Sequence, residues 1–150
     1  MKNRMMLPLA LSAAALLAVS GTALAGDNGY GTQKVVYHVN YEDTGRYMAA
    51  MGNIQNHINA VGADNMEIKV VMHGDGLGLL STAKDHDDLR ARVDNLKLQD
   101  VDFQVCANTL AGRNIDLDAD LYDARDSDVI PSGVAHISHL QNMGYTYSRP

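Results

Sequence analysis

Cys106 is the only cysteine in the 150-residue chain, so its thiol has no partner for a disulfide within one chain. It follows the alternating run Val101, Phe103, Val105 and precedes Asn108-Thr109, residues suited to capping a short helix that ends near Gly112. A sulfur at such a junction faces unpaired backbone N–H groups and the positive end of a helix dipole, both of which favour the thiolate. Ionised, Cys106 is a nucleophile; un-ionised, it is a small buried hydrophobe ending a strand, and its position suits either. His73 closes a second apolar run, Ile68, Val70, Val71 and Met72, beside Gly74. It could steady the thiolate or shuttle a proton, or it could simply cap its loop. Asn108 could orient a bound sulfur or oxyanion, or cap the helix after Cys106. The chemistry within reach of this trio is nucleophilic attack by Cys106, with His73 and Asn108 in support.

Other candidates lack the pattern their chemistry needs. His136 and His139, three apart on one helical face, could supply two metal ligands, but the further Cys or His spacing of a closed zinc site is absent. Asp116, Asp118 and Asp120 alternate as in a calcium loop without its glycine or closing glutamate. Gly74-Asp75-Gly76-Leu77-Gly78 has neither the dinucleotide pattern nor the Gly-Lys-Ser/Thr ending of a phosphate loop, and no Gly-x-Ser-x-Gly elbow occurs. No metal and no cofactor is therefore expected.

The elements that must position Cys106 and His73 follow from hydrophobic spacing. Val35 to Val39 is a short β-branched run, as in a strand covered on both faces. Tyr47, Met51, Ile54, Ile58 and Val61 then recur at intervals of four and three, one stripe of a helix ended by Gly62. Ile68 to Met72 is a second strand, stopped by His73-Gly74-Asp75-Gly76. Asp85, Asp87 and Asp88 open a helix whose inward stripe is Leu89, Val93 and Leu96, and the strand to Cys106 follows. An acidic excursion, 114–132, holds one brief strand at Val129-Ile130; Val134, Ile137 and Leu140 mark a last helix, and Tyr145-Thr146-Tyr147 a terminal strand. This rhythm predicts a three-layer α/β/α fold around a mostly parallel sheet of about five strands with right-handed crossovers. Ligands of such sheets sit at the carboxyl ends of the strands, where the loops Asn40 to Thr44, His73 to Gly76 and Cys106 to Thr109 should converge.

The chain opens with Lys2 and Arg4, an apolar stretch from Met5 to Val19 and Ala23-Leu24-Ala25, the layout of an export signal cleaved after Ala25. Residues 1–25 are read as signal, 26–33 as a glycine-rich flexible leader, and 34–150 as one domain in the periplasm or secreted, with no membrane attachment after cleavage. Loss of the two positive charges of Lys2 and Arg4 takes the net charge from −6 to −8. A surface of that sign, with scattered basic residues, repels nucleic acid and anionic lipid.

Four segments together resemble the DsrE/DsrF-like family: Val70-Val71-Met72-His73-Gly74, Phe103-Gln104-Val105-Cys106-Ala107-Asn108-Thr109-Leu110, Ile130-Pro131-Ser132-Gly133-Val134 and Gly144-Tyr145-Thr146-Tyr147. The resemblance spans about Lys34 to Pro150, and Cys-x-Asn-Thr-Leu after a strand is its most specific part. It implies a compact α/β/α domain assembled as homotrimers or homohexamers and, as in the sulfur-relay members, a cysteine at Cys106 that carries sulfur as a persulfide. Characterised relay members work in the cytoplasm, whereas this chain carries an export signal. Two functions follow. In one, an exported sulfur handler or sulfurtransferase takes sulfane sulfur onto Cys106 from a donor and gives it to a protein or small thiol. In the other, a non-catalytic oligomeric module binds a small ligand at the strand ends, and Cys106 only packs.

Overall fold

A computed structural model describes residues 29–150, so the proposed export signal and the first residues of the leader lie outside the described residues. Eleven elements follow: β1 (Gln33–Val39), α1 (Thr44–Val61), β2 (Met66–Met72), α2 (Gly78–Ala83), α3 (Asp87–Lys97), β3 (Asp102–Cys106), α4 (Ala107–Arg113), α5 (Leu117–Asp120), β4 (Val129–Ile130), α6 (Gly133–Asn142) and β5 (Thr146–Ser148). Their termini obey local chemistry. Asp43 accepts the N–H of Arg46 at 2.7 Å to start α1, and the His86 ring accepts that of Leu89 at 3.2 Å to start α3. Gly62, at φ 93°, ends α1, its N–H bonded to the Ile58 carbonyl.

The strands lie in the order β4-β3-β2-β1-β5, and every pairing is parallel. Helices cover both faces, giving the three-layer α/β/α fold that the alternation of apolar runs predicts. Because side chains alternate along a strand, each strand feeds two cores. Val35, Tyr37, Val39, Val70, Met72, Phe103 and Val105 meet α1, α2 and α3 in the larger core. Complete burial of Ile54, Met51 and Leu89 there contributes about 1.5–3 kcal/mol for each side chain. Val36, Val71 and Ile130 point the other way, onto Ile137 and Leu140 of α6 and onto Tyr145.

The α6 face is only partly apolar. Toward the amino ends of the strands it carries two cross-strand ion pairs, Lys34–Glu67 at 2.9 Å and Lys69–Asp102 at 3.0 Å. Toward the carboxyl ends it carries His38, His73 and Cys106, which share the parity of Val36, Val71 and Gln104. The short second core therefore leaves room at one end of the sheet for side chains capable of chemistry.

Candidate functional site

Cys106 is the last residue of β3 and the residue from which α4 starts, with φ −76° and ψ 115° at the cap position. Asn108 is thus not the cap that its residue type suggests. It is the second residue of α4, its side chain is exposed, and what it offers the sulfur is its backbone N–H. The β-strand conformation of Cys106 directly precedes the first helical turn, so the thiol hangs over that turn and meets the N–H groups left unpaired there.

Cys106 is only 4% exposed, and yet its sulfur is well supplied with donors. Burial alone pushes the thiol up. The Thr109 hydroxyl, then the N–H groups of Gly133, Thr109 and Asn108, outweigh it and hold the group below its ordinary value of 9.0. The Gly133 N–H reaches Sγ at 3.2 Å from the start of α6. Thr109 is oriented from behind: its oxygen accepts the Gly74 N–H at 2.9 Å, which leaves its single proton for the sulfur. Gly74 adopts φ 56°, a left-handed conformation that a side chain would disfavour. The starts of α4 and α6 therefore meet at one sulfur atom, and the loop after β2 supports it through Thr109.

His73 stands beside this cradle but makes no hydrogen bond to Sγ. The register that pairs Met72 with Val105 places His73 and Cys106 in the next row of neighbouring strands, on the same face. The imidazole packs instead against Gly133, where a Cβ would come within 2.8 Å of the His73 Cβ and 3.0 Å of its Cδ2. Gly133→Ala is expected to push His73 and the start of α6 apart, costing roughly 1–3 kcal/mol in denaturant titrations. Iodoacetamide should alkylate Cys106 more slowly in that variant, because the Gly133 N–H leaves the sulfur.

The Nε2 of His73 meets the Nε2 of His38 at 2.7 Å, and the Nδ1 of His38 meets the Tyr147 hydroxyl at 2.8 Å. Burial, then the charges of His73 and Arg149, bring His38 down to about 4, and burial also lowers His73. Both shifts favour the neutral imidazole at pH 7. With Val134, Ile137, Ser138 and Gln141 of α6 they line a groove of about 310 Å³ beside the sulfur cradle. His136 and His139 lie elsewhere, ring centroids 5.9 Å apart, and no group of three or more potential metal-ligating side chains occurs among the described residues.

The DsrE/DsrF-like family matches residues 33–147. The chain belongs to that family. A solved structure of a protein of unknown function, MTH1491 from Methanobacterium thermoautotrophicum, is 32% identical over 79% of this chain and 99% of its own, with a TM-score of 0.68. No curated protein matches. Membership of the DsrE/DsrF-like family points to sulfur relay in general terms. The DsrE/DsrF-like sheet explains how Cys106 and His73 come together from positions 33 residues apart in sequence: equivalent strand ends of a parallel sheet are neighbours in space.

Thr109, Gly133, His38 and Tyr147 are the residues that reading by type leaves out. His38 and Tyr147 could have been found from parity, since each lies an even number of residues from an apolar residue of the α6 face. Thr109 and Gly133 carry no such signal, because their contributions depend on which loops meet in space.

Proposed function

We propose that the protein is exported and carries sulfane sulfur as a persulfide on Cys106. The observation that carries this reading is the buried sulfur held by one hydroxyl and three backbone N–H groups, because that donor set stabilises a sulfur anion. An inert packing cysteine needs no such set. In the transfer step the Cys106 thiolate attacks the outer sulfur of a sulfane donor. A new S–S bond forms, the donor's own S–S bond breaks, and the donor leaves as a thiolate or, from thiosulfate, as sulfite. Nothing is oxidised or reduced overall, and delivery to an acceptor thiol reverses the roles. A protein or small thiol serves as the partner.

The test is sulfur loading. Protein incubated with polysulfide or thiosulfate and then desalted should release sulfur to cyanide as thiocyanate, and a reductant should remove the same sulfur. Protein that retains no cyanide-labile sulfur would overturn the reading. Export has its own mark: protein recovered from cells should begin at Gly26.

Assembly into homotrimers or homohexamers belongs to the same proposal. It is supported by Val134 of α6 and Met143 just after it, which are 66% and 54% exposed, and by two of the three buried polar atoms without partners among the described residues, Gln104 Oε1 and His136 Nε2. Sedimentation equilibrium of the mature protein is expected to give three or six times the chain mass, and a monomer at micromolar concentration would exclude it.

A further inference from the structure

The side chains capable of chemistry are not scattered around Cys106; they cross the sheet in a line. On β5, Tyr147 pairs in register with Val36, two residues before His38. On β1, His38 pairs with Val71, two residues before His73. His73 in turn stands in the same row as Cys106 on β3. Each of the first two steps moves one strand across and two residues up, so β5, β1, the residue just after β2 and the end of β3 present tyrosine, histidine, histidine and cysteine on one face. Diagonal neighbours of this kind are within reach of long side chains, and here the reach is closed by hydrogen bonds of 2.8 and 2.7 Å.

The donor and acceptor count restricts what these bonds can be. A neutral imidazole carries one proton, so the contact between the two Nε2 atoms is one N–H donating to one lone pair. If Tyr147 donates to His38 Nδ1, the His38 proton must sit on Nε2 and donate to His73, and the His73 proton is then on Nδ1. In the opposite sense His73 Nε2 donates to His38, His38 Nδ1 donates to the Tyr147 oxygen, and His73 Nδ1 is an acceptor. The two states differ by one proton passed along the whole row. His73 Nδ1 makes no hydrogen bond among the described residues, and Tyr147 is 45% exposed, so the row is open at both ends. A metal ion bridging the rings is disfavoured by their 2.7 Å approach, since nitrogen ligands stand about 2.0–2.1 Å from zinc and need more separation.

We propose that Tyr147, His38 and His73 form a proton relay between solvent at the β5 edge and the sulfur carried by Cys106. The relay rests on the sulfur-handling reading and deepens it. With an alkyl hydropersulfide, R–S–S–H, as donor, the Cys106 thiolate attacks the outer sulfur and R–S⁻ leaves with the electron pair of the broken S–S bond. The proton of the outer sulfur is removed as this bond forms, so that its removal is part of the loading step. The outer sulfur lies about 2 Å beyond Sγ, and on this proposal it stands against His73, the neighbour of Cys106 in the same row of the sheet. That proton passes to His73 Nδ1, each ring hands on the proton of its other nitrogen, and the Tyr147 hydroxyl releases one to water. R–S⁻ takes a proton from water, and Cys106 is left as the persulfide anion, its charge on the outer sulfur. His73 meets the sulfur species; His38 and Tyr147 act through it as positioning residues. Their neutral state, which His38 keeps down to about pH 4, is what allows the proton to move in either direction.

The experiment combines a spectrum with a rate. Imidazole ¹⁵N spectra of the protein at neutral pH should show two neutral rings with a coupling across the His38–His73 hydrogen bond, and Tyr147→Phe should shift the tautomer balance of both. Single-turnover loading of Cys106 from a small alkyl hydropersulfide is expected to slow by at least about tenfold in His38→Ala and in Tyr147→Phe, within the range of general acid–base effects. Iodoacetamide, which takes no proton from the sulfur it meets as thiolate, should react with both variants as with the unaltered protein. Added imidazole should restore loading in His38→Ala. Variants that load at the original rate, or rings found charged or uncoupled, would overturn the relay while leaving sulfur handling intact. Failure of the unaltered protein to load would overturn both.

Discussion

Cys106→Ser is expected to take up no sulfur under conditions in which the unaltered protein gains it. After exposure to polysulfide, intact-mass spectra of the unaltered protein should show added sulfur removable by a thiol reductant, and the serine variant should show none. The reason is chemical rather than structural. Serine fits the same space and accepts the same N–H groups, but its hydroxyl does not form the sulfur–sulfur bond on which the load depends. Folding should be nearly unaffected, since Gly133, Thr109 and Asn108 keep an acceptor to point at. This variant also separates the two functions open at the outset. A binding module in which Cys106 merely packs would bind its ligand and assemble as before in the serine form, and the unaltered protein would carry no reducible sulfur.

The burial of Cys106 bears on how that uptake proceeds. A cysteine only 4% exposed does not admit a bulky donor to its own position, so the reacting group must be a slender sulfur terminus. On the proposed reading the outer sulfur of a loaded Cys106 would stand about 2 Å beyond Sγ, and transfer to an acceptor would take place farther out than loading. On the same reading that space is the groove under α6, walled by Val134, Ile137 and the imidazoles of His38 and His73. Neutral, polarisable walls suit a sulfur chain better than a row of charges, which would favour water.

The order of elements was legible because each carries its own signal. The spacing of Tyr47, Met51, Ile54, Ile58 and Val61 is the buried stripe of α1, and Gly62 ends it. Val129-Ile130, only two residues long, pairs with Val105-Cys106 as the edge strand. Cys106 and His73 were legible as neighbours because parallel strands bring their carboxyl ends together. The cap is not where residue type puts it: Asn108 has a good capping side chain, yet the strand runs on to Cys106 and the helix begins at Ala107. Tertiary pairing with β2 and β4 decides where β3 stops, and capping preference is too weak to move it. The network behind the sulfur was not legible. Gly74 to Thr109 and Gly133 to Cys106 join residues 35 and 27 apart in sequence, and nothing local to either end announces them.

Thr109 gives the second large effect. Its hydroxyl accepts the Gly74 N–H and donates to the sulfur, so Thr109→Val removes one donor from the thiolate and strands one N–H of the neighbouring loop. A hydrogen bond to a charged group contributes about 1.5–3 kcal/mol, and an unsatisfied buried donor costs about 1–3 kcal/mol. The alkylation rate of Cys106 at pH 7 should therefore fall by about tenfold or more, and the variant should unfold at lower denaturant. Thr109→Ser keeps the hydroxyl and should retain most of both. The sign of the pH dependence follows from the direction of the thiol shift. The fold holds the thiol below 9.0, so its contribution to stability is complete above that value and is lost as the pH falls through the folded-state value. Between neutral and alkaline pH the unaltered protein should accordingly gain stability relative to Cys106→Ser. In Thr109→Val that gain should shrink, because the fold then prefers the thiolate less. Equal pH slopes in all three proteins would mean that the donors around Cys106 do not stabilise its ionised form, and sulfur carriage would lose its physical basis.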